Sequence, residues 1–266
     1  MNPSSSPQPY PWRLFWLLFT AGILGALAIS PLAWDLLGAV LSKMERPSIP
    51  LPLLILVGVV QNLALFALVV WLGLKLSRSL GLGAPLLESW VTGKAESKSS
   101  LARSLKAGLL TGVVLGIGLV IALLALAPQL PNLPFVIAAK LPLWKRLLAC
   151  FYGGVYEEIL TRLFLLSLIA WIANRSWSKT ARTLSNSVFW FANISAAIVF
   201  GLGHLPSASL LMPITPLVVF AALTLNGVAG IGFGYLYREH GLEAAMIAHY
   251  TCDAALFVIG PAFLKS

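Results

Sequence analysis

Acidic side chains are scarce in this sequence: nine Asp and Glu stand against 18 Lys and Arg in 266 residues, and charged residues make up 10% of the chain. A water-soluble domain of this length covers its surface with far more charge, so that class is excluded. Cysteine is almost absent too. Cys150 and Cys252 both sit in apolar runs, where they read as small packed hydrophobes rather than as a report on redox compartment. There is no long-period repeat, no second compositional domain and no H-E-x-x-H. What remains is hydrophobic: 59% of residues, with a mean hydropathy of +0.89. The natural solvent of such a chain is a bilayer. The net charge of +9 fits the positive-inside rule and anionic headgroups, so membrane lipid is the expected partner and nucleic acid is not.

Runs of roughly 20 apolar residues, the length that crosses the hydrocarbon core, predict seven spans near 13–34, 51–74, 107–127, 147–172, 188–205, 210–236 and 243–263. The expected fold is all-α: a polytopic transmembrane helix bundle, one domain over 13–263, with chemistry concentrated in 147–257. Residues 1–12, rich in Pro and Ser, read as a disordered tail. Ala26-Leu-Ala28 resembles a signal-peptidase site, but the apolar run continues past it, which favours an uncleaved first span. Loop 75–106 is the one long segment expected in water, and it carries Lys75, Arg78, Lys94, Lys98, Arg103 and Lys106. With the N-terminus inside, eleven Lys and Arg fall on inner segments and six on outer ones, which sets the orientation.

Glycines in the spans read as packing. Gly108, Gly112 and Gly116 recur every fourth position, the small-residue stripe that lets two helices approach closely in lipid. Gly230-Ile-Gly232-Phe-Gly234 follows no strand and lacks the dinucleotide spacing, so it reads the same way.

Ionisable residues in apolar runs each cost at least about 2.5–3.5 kcal/mol at mid-bilayer unless paired or hydrated. Three clusters carry that cost. In the fourth span, Glu157-Glu158-Ile-Leu-Thr-Arg162 puts Glu158 and Arg162 four apart on one helical face, where they can pair. Glu157, about ten residues or ~15 Å into the span, has no partner nearby in sequence and is the carboxylate left to act. Phe200-Gly-Leu-Gly-His204 ends the fifth span. His249-Tyr-Thr-Cys-Asp253 lies in the seventh, its His and Asp also four apart. Together they hold two of the three His and three of the nine acids. The remaining histidine, His240, reads as a solvated loop residue.

The ordered set E-E-x-x-x-R, F-x-x-x-H and H-x-x-x-D, each in its own apolar helix over roughly 105–257, resembles the CPBP family, as does the glycine spacing from Gly232 through Gly241 to His249. That family comprises type II CAAX prenyl endopeptidases and bacterial relatives linked to bacteriocin processing and self-immunity. The resemblance implies an intramembrane endopeptidase in the cytoplasmic membrane of a prokaryote, acting on a membrane-associated peptide or protein. It gives Glu157 the attacking water, His204 a share in holding that water, and His249 with Asp253 the oxyanion or a metal; Glu158 and Arg162 support them. One position departs: Asp253 stands where prenyl endopeptidases carry Asn, and an ionised Asp accepts hydrogen bonds but donates none.

Two chemistries stay open at this point. A desolvated carboxylate can take a proton from water near neutral pH, which suits Glu157. Alternatively Glu157, His204, His249 and Asp253 can be drawn as a Zn2+ site. Two other readings compete, a catalytically silent scaffold of the same fold and a proton- or ion-coupled transporter, the latter without the repeat of spans that transporters show. His204 comes late and His249 early in spans that run the same way, so straight helices hold them at different depths. A broken, re-entrant segment near 206–216, where Pro206, Pro213 and Pro216 fall, is the expected remedy.

Overall fold

The computed structural model describes residues 10–41, 50–93, 98–130, 134–177 and 184–263, and among these every regular element is helical. The tail expected at 1–12 lies mostly outside the described residues. Its last part is ordered: the Tyr10 hydroxyl donates to the Trp71 carbonyl at 3.1 Å, and Trp12 opens the first helix.

Helices α1 (Trp12–Leu41) and α2 (Leu51–Ser79) lead to a short α3 (Pro85–Thr92), then α4 (Lys98–Leu126) and α5 (Pro134–Ala138). A continuous helical run follows: α6 (Leu143–Tyr152), a π-helical stretch over Gly153–Glu157 and Ile159–Leu166 joined through Glu158, and α7 (Ser167–Trp177). Then come α8 (Asn186–Gly203), α9 (Leu205–Ser209), α10 (Pro216–His240) and α11 (Leu242–Ala254), the last continuing as a second π-turn over Ala255–Ile259. Starts follow local chemistry: Ser185 and Thr215 accept hydrogen bonds from the amides of Val188 and Val218, and Pro216 takes the first position of α10.

Among the described residues, six helices are long and apolar enough to cross a membrane: Trp12–Trp34, Pro52–Ser79, Ser100–Leu126, Asn186–Ser209, Pro216–His240 and Leu242–Phe263. The run through 143–177, expected as a span over 147–172, carries Glu157, Glu158 and Arg162 at its middle and is not among these six, a number still roughly consistent with about seven spans. It forms the axis of the bundle. α1 packs on its first half and α2 on its second, α8 lies along the π-segment, and α11 crosses at Gly153–Glu157. Ile159, Leu163 and Leu166 are wholly buried there. The N-terminal part of α2 behaves differently. Residues 52–65 are exposed save for Gly58, and α2 joins the core only at Phe66.

The glycine stripe on α4 has a defined job. Cβ atoms at Gly108, Gly112 and Gly116 would stand 2.8 Å from the Ala244 carbonyl, 2.5 Å from the Ala248 carbonyl and 2.6 Å from Ala255 Cβ, so their absence seats α11 directly against α4. The Gly230–Gly234 cluster packs likewise, against Ala197, Leu115 and Asn193.

The expected break near 206–216 is present. α8 ends at Gly203 with His204 as its cap, the short α9 follows at Leu205–Ser209, and 210–215 is irregular before α10 begins. Two expectations are corrected. Loop 75–106 is not an open aqueous loop: α3 folds back on the bundle, Leu242 N donates to Gly83 O at 2.9 Å and Leu87 N to Glu243 Oε1 at 2.7 Å. His240 is not a loop residue either. It ends α10, half-buried, with its carbonyl taking the Ser104 hydroxyl at 3.4 Å.

Candidate active site

The polar cluster is built around one imidazole. His249, 5% exposed on α11, donates from Nδ1 to Glu158 Oε1 at 2.7 Å. This bond leaves Nε2 pointing at two further carboxylates, Glu157 Oε2 at 3.8 Å and Asp253 Oδ2 at 3.6 Å. Those separations exceed a direct hydrogen bond and match groups that share a water. Phe233 stacks on the ring at 4.7 Å and Phe200 meets it edge-on at 5.8 Å, fixing its plane.

Glu158 is fully buried, and its second oxygen lies 3.3 Å from Arg162 Nε. Arg162 is itself 3% exposed. It donates to Gly230 O at 3.0 Å and to the Thr161 hydroxyl, and its guanidinium lies 5.0 Å from the Phe200 ring and 5.5 Å from that of Phe233. The Glu158–Arg162 pair expected from i, i+4 spacing is therefore present, and it extends into a chain from Gly230 to His249. Two charges this deep need such extra hydrogen bonds to be tolerated.

The π-helical backbone explains how both glutamates reach one histidine. In an α-helix, neighbours point well apart, and Glu157 is expected to face away from the partner of Glu158. The wider i→i+5 turn lessens the angular step, so the two side chains address opposite nitrogens of the same ring. Gly153 makes the approach of α11 possible. A Cβ there would overlap Asp253 Oδ2 and stand 3.1 Å from His249 Nε2. Gly153 and Phe233 are the site residues that the sequence reading missed. A Gly-Gly pair one turn before an acidic pair in an apolar helix is the signal that was available for the first; stacking by Phe233 had none.

His204 stands apart from this cluster. It caps the end of α8 with Nδ1 2.8 Å from Phe200 O, and its ring lies 4.7 Å from the Phe200 ring, whose edge also serves His249. A donation from Nδ1 to that carbonyl turns Nε2 into the acceptor. The four residues drawn as a zinc set are thus not assembled around one point, and among the described residues no group of three or more His, Cys, Asp or Glu is arranged to hold a metal ion.

All six polar residues of the cluster and its margin fall inside the segment that comparison singles out. Residues 139–255 match the family model of the type II CAAX prenyl endopeptidase Rce1-like proteins. Over that stretch the chain is similar to this family. No curated protein and no solved structure matches it. The matched segment contains the axial helix, α8, α10 and all of α11, and lies in a multi-pass membrane protein. The match is to a protease family, so the scaffold and transporter readings gain nothing from it.

Proposed function

We propose that the protein is an intramembrane endopeptidase that cleaves a peptide bond of a membrane-associated substrate with a water activated by Glu157. The observation that carries this reading is the divided duty of His249. Its Nδ1 is committed to Glu158, while its Nε2 and the Glu157 and Asp253 carboxylates converge on one spot. A water seated there loses a proton to Glu157 as its oxygen attacks the scissile carbonyl, and Glu157 returns the proton to the departing amine. As an imidazolium, with Nδ1–H held by Glu158, His249 supplies its Nε2–H toward the developing oxyanion. A protonated Asp253 adds a second donor there. His204, one ring away, flanks the substrate side of the site. Among the described residues no group of three or more His, Cys, Asp or Glu is arranged to hold a metal ion, and no step here passes through one.

The test is cleavage of a membrane-anchored peptide by the reconstituted protein, run alongside Asp253→Asn with elemental analysis of both. The Asn variant is expected to keep or raise activity, because its amide supplies the N–H donor without needing a proton. An inactive variant that has also lost a stoichiometric metal overturns the water-and-glutamate chemistry. The peptides cut in membranes with wild-type protein but not with an inactive variant identify the substrate.

Gly153→Ala is a second expected result. The added methyl favours the helix by about 1 kcal/mol but overpacks the contact at a cost of about 1–3 kcal/mol. Thermal stability should therefore change little. Activity should fall by about a hundredfold, since the displaced groups are Asp253 and His249 and a shift of about 1 Å in a reacting geometry costs that much. Unchanged kcat with a lower melting temperature contradicts the assignment of this contact to the site.

A further inference from the structure

A cavity of about 600 Å3 lies away from Glu157, at the end of the bundle where α2 and α10 finish and α4 begins. Its walls include Arg78, Arg103, Arg238 and His240, with Glu88 and Ser104. The carboxylates present are already engaged: Glu88 pairs with Arg78, and Glu239 lies 3.6 Å from Arg238. Each guanidinium has five N–H donors, so these pairs orient the arginines without exhausting them. Arg103 is exposed at the first turns of α4. The lining therefore carries a surplus of positive charge, supplied by the side chain best matched to a phosphate.

The surroundings fix the level at which this cavity sits. The same end of the bundle carries the exposed Trp12, Trp16 and Trp90, with Arg13 donating to Val91 O at 3.4 Å and Lys75 5.2 Å from the Trp71 ring. Tryptophan mixed with Lys and Arg at the ends of apolar helices marks the membrane–water boundary. Basic pockets between helix ends at that level receive anionic head groups, and 600 Å3 suits a ligand of that size rather than a single small ion.

We propose that this cavity is a binding site for a phosphate-bearing anion, either the head group of an anionic membrane lipid or a free phosphate compound. The wall that such an anion touches is continuous with the start of α11. Gly83 accepts from Leu242 N at 2.9 Å, and Gly241, at φ +88, lies against Pro85 so closely that a Cβ would overlap it. An occupant therefore braces the first turn of the helix that carries His249 and Asp253. The proposal does not depend on the reaction performed there.

The experiment uses the full-length protein in a phosphate-free maltoside detergent, titrated separately with phosphatidylglycerol, phosphatidylcholine and inorganic phosphate, and read by thermal midpoint and by lipid retained after washing. Phosphatidylglycerol should stabilise the wild type and phosphatidylcholine should not. Arg103→Glu, an exposed position whose change leaves the core untouched, should weaken that effect about tenfold or more. Lys106→Glu, exposed on the same helix but outside the cavity lining, should leave it unchanged. Stabilisation by inorganic phosphate with the same dependence on Arg103 supports the site and assigns it to a free phosphate compound. Equal losses in the two variants, or no stabilisation of the wild type by either anion, overturn the proposal.

Discussion

Glu157→Gln should lower cleavage of a membrane-anchored peptide by about 10²–10⁴-fold while the protein stays folded. Glutamine keeps the shape of the side chain and one acceptor oxygen but takes up no proton, so the water loses its base and little else changes. The surroundings support that separation of effects. Glu157 keeps 19% of its side chain exposed, and it is not part of the chain that ties Glu158 to Arg162 and His249. Helical circular dichroism and the thermal midpoint in detergent should match the wild type. If the variant cleaves at near the wild-type rate, the base lies elsewhere, and Asp253, 3.6 Å from the same Nε2, becomes the group to test.

Arg162→Ala should act on the fold instead. It leaves Glu158, which is fully buried, without the guanidinium beside its second oxygen, and it strips the Gly230 carbonyl of a 3.0 Å donor and Phe200 and Phe233 of their cation contact. Breaking one partner of a buried pair costs about 3–5 kcal/mol. The expected result is a large fall in folded yield and in thermal midpoint. The double variant Arg162→Met with Glu158→Gln should recover part of that loss, because it buries no charge at all. It should remain slow in cleavage, since His249 then lacks the carboxylate on Nδ1. Normal yield and midpoint for Arg162→Ala would show that the pair does not hold the bundle together, and a double variant no more stable than the single one would locate the cost in lost packing.

The sequence by itself determined the solvent of this protein, its helical class and the short roster of ionisable side chains placed within apolar helices. Each of these is a property of local stretches. Hydrophobicity adds up along a run of 20 residues, and a charge inside such a run is costly wherever the run is placed. The i, i+4 pairing of Glu158 with Arg162 and the glycine stripe on α4 were readable for the same reason, since both are set by the period of one helix. What only the tertiary structure decided is how helices distant in sequence meet. Glu158 and His249 are 91 residues apart, and their 2.7 Å bond exists because α11 can lie against both Gly153 and the α4 stripe. The π-helical turn that brings both glutamates onto one imidazole belongs to that packing, not to any propensity of Gly153–Leu166. The placement of His204 across Phe200, the folding of α3 onto the bundle and the half-burial of His240 beside a basic cavity have the same origin. Composition records what a segment will tolerate, while the position of one helix against another depends on side chains whose contacts appear only when the bundle closes.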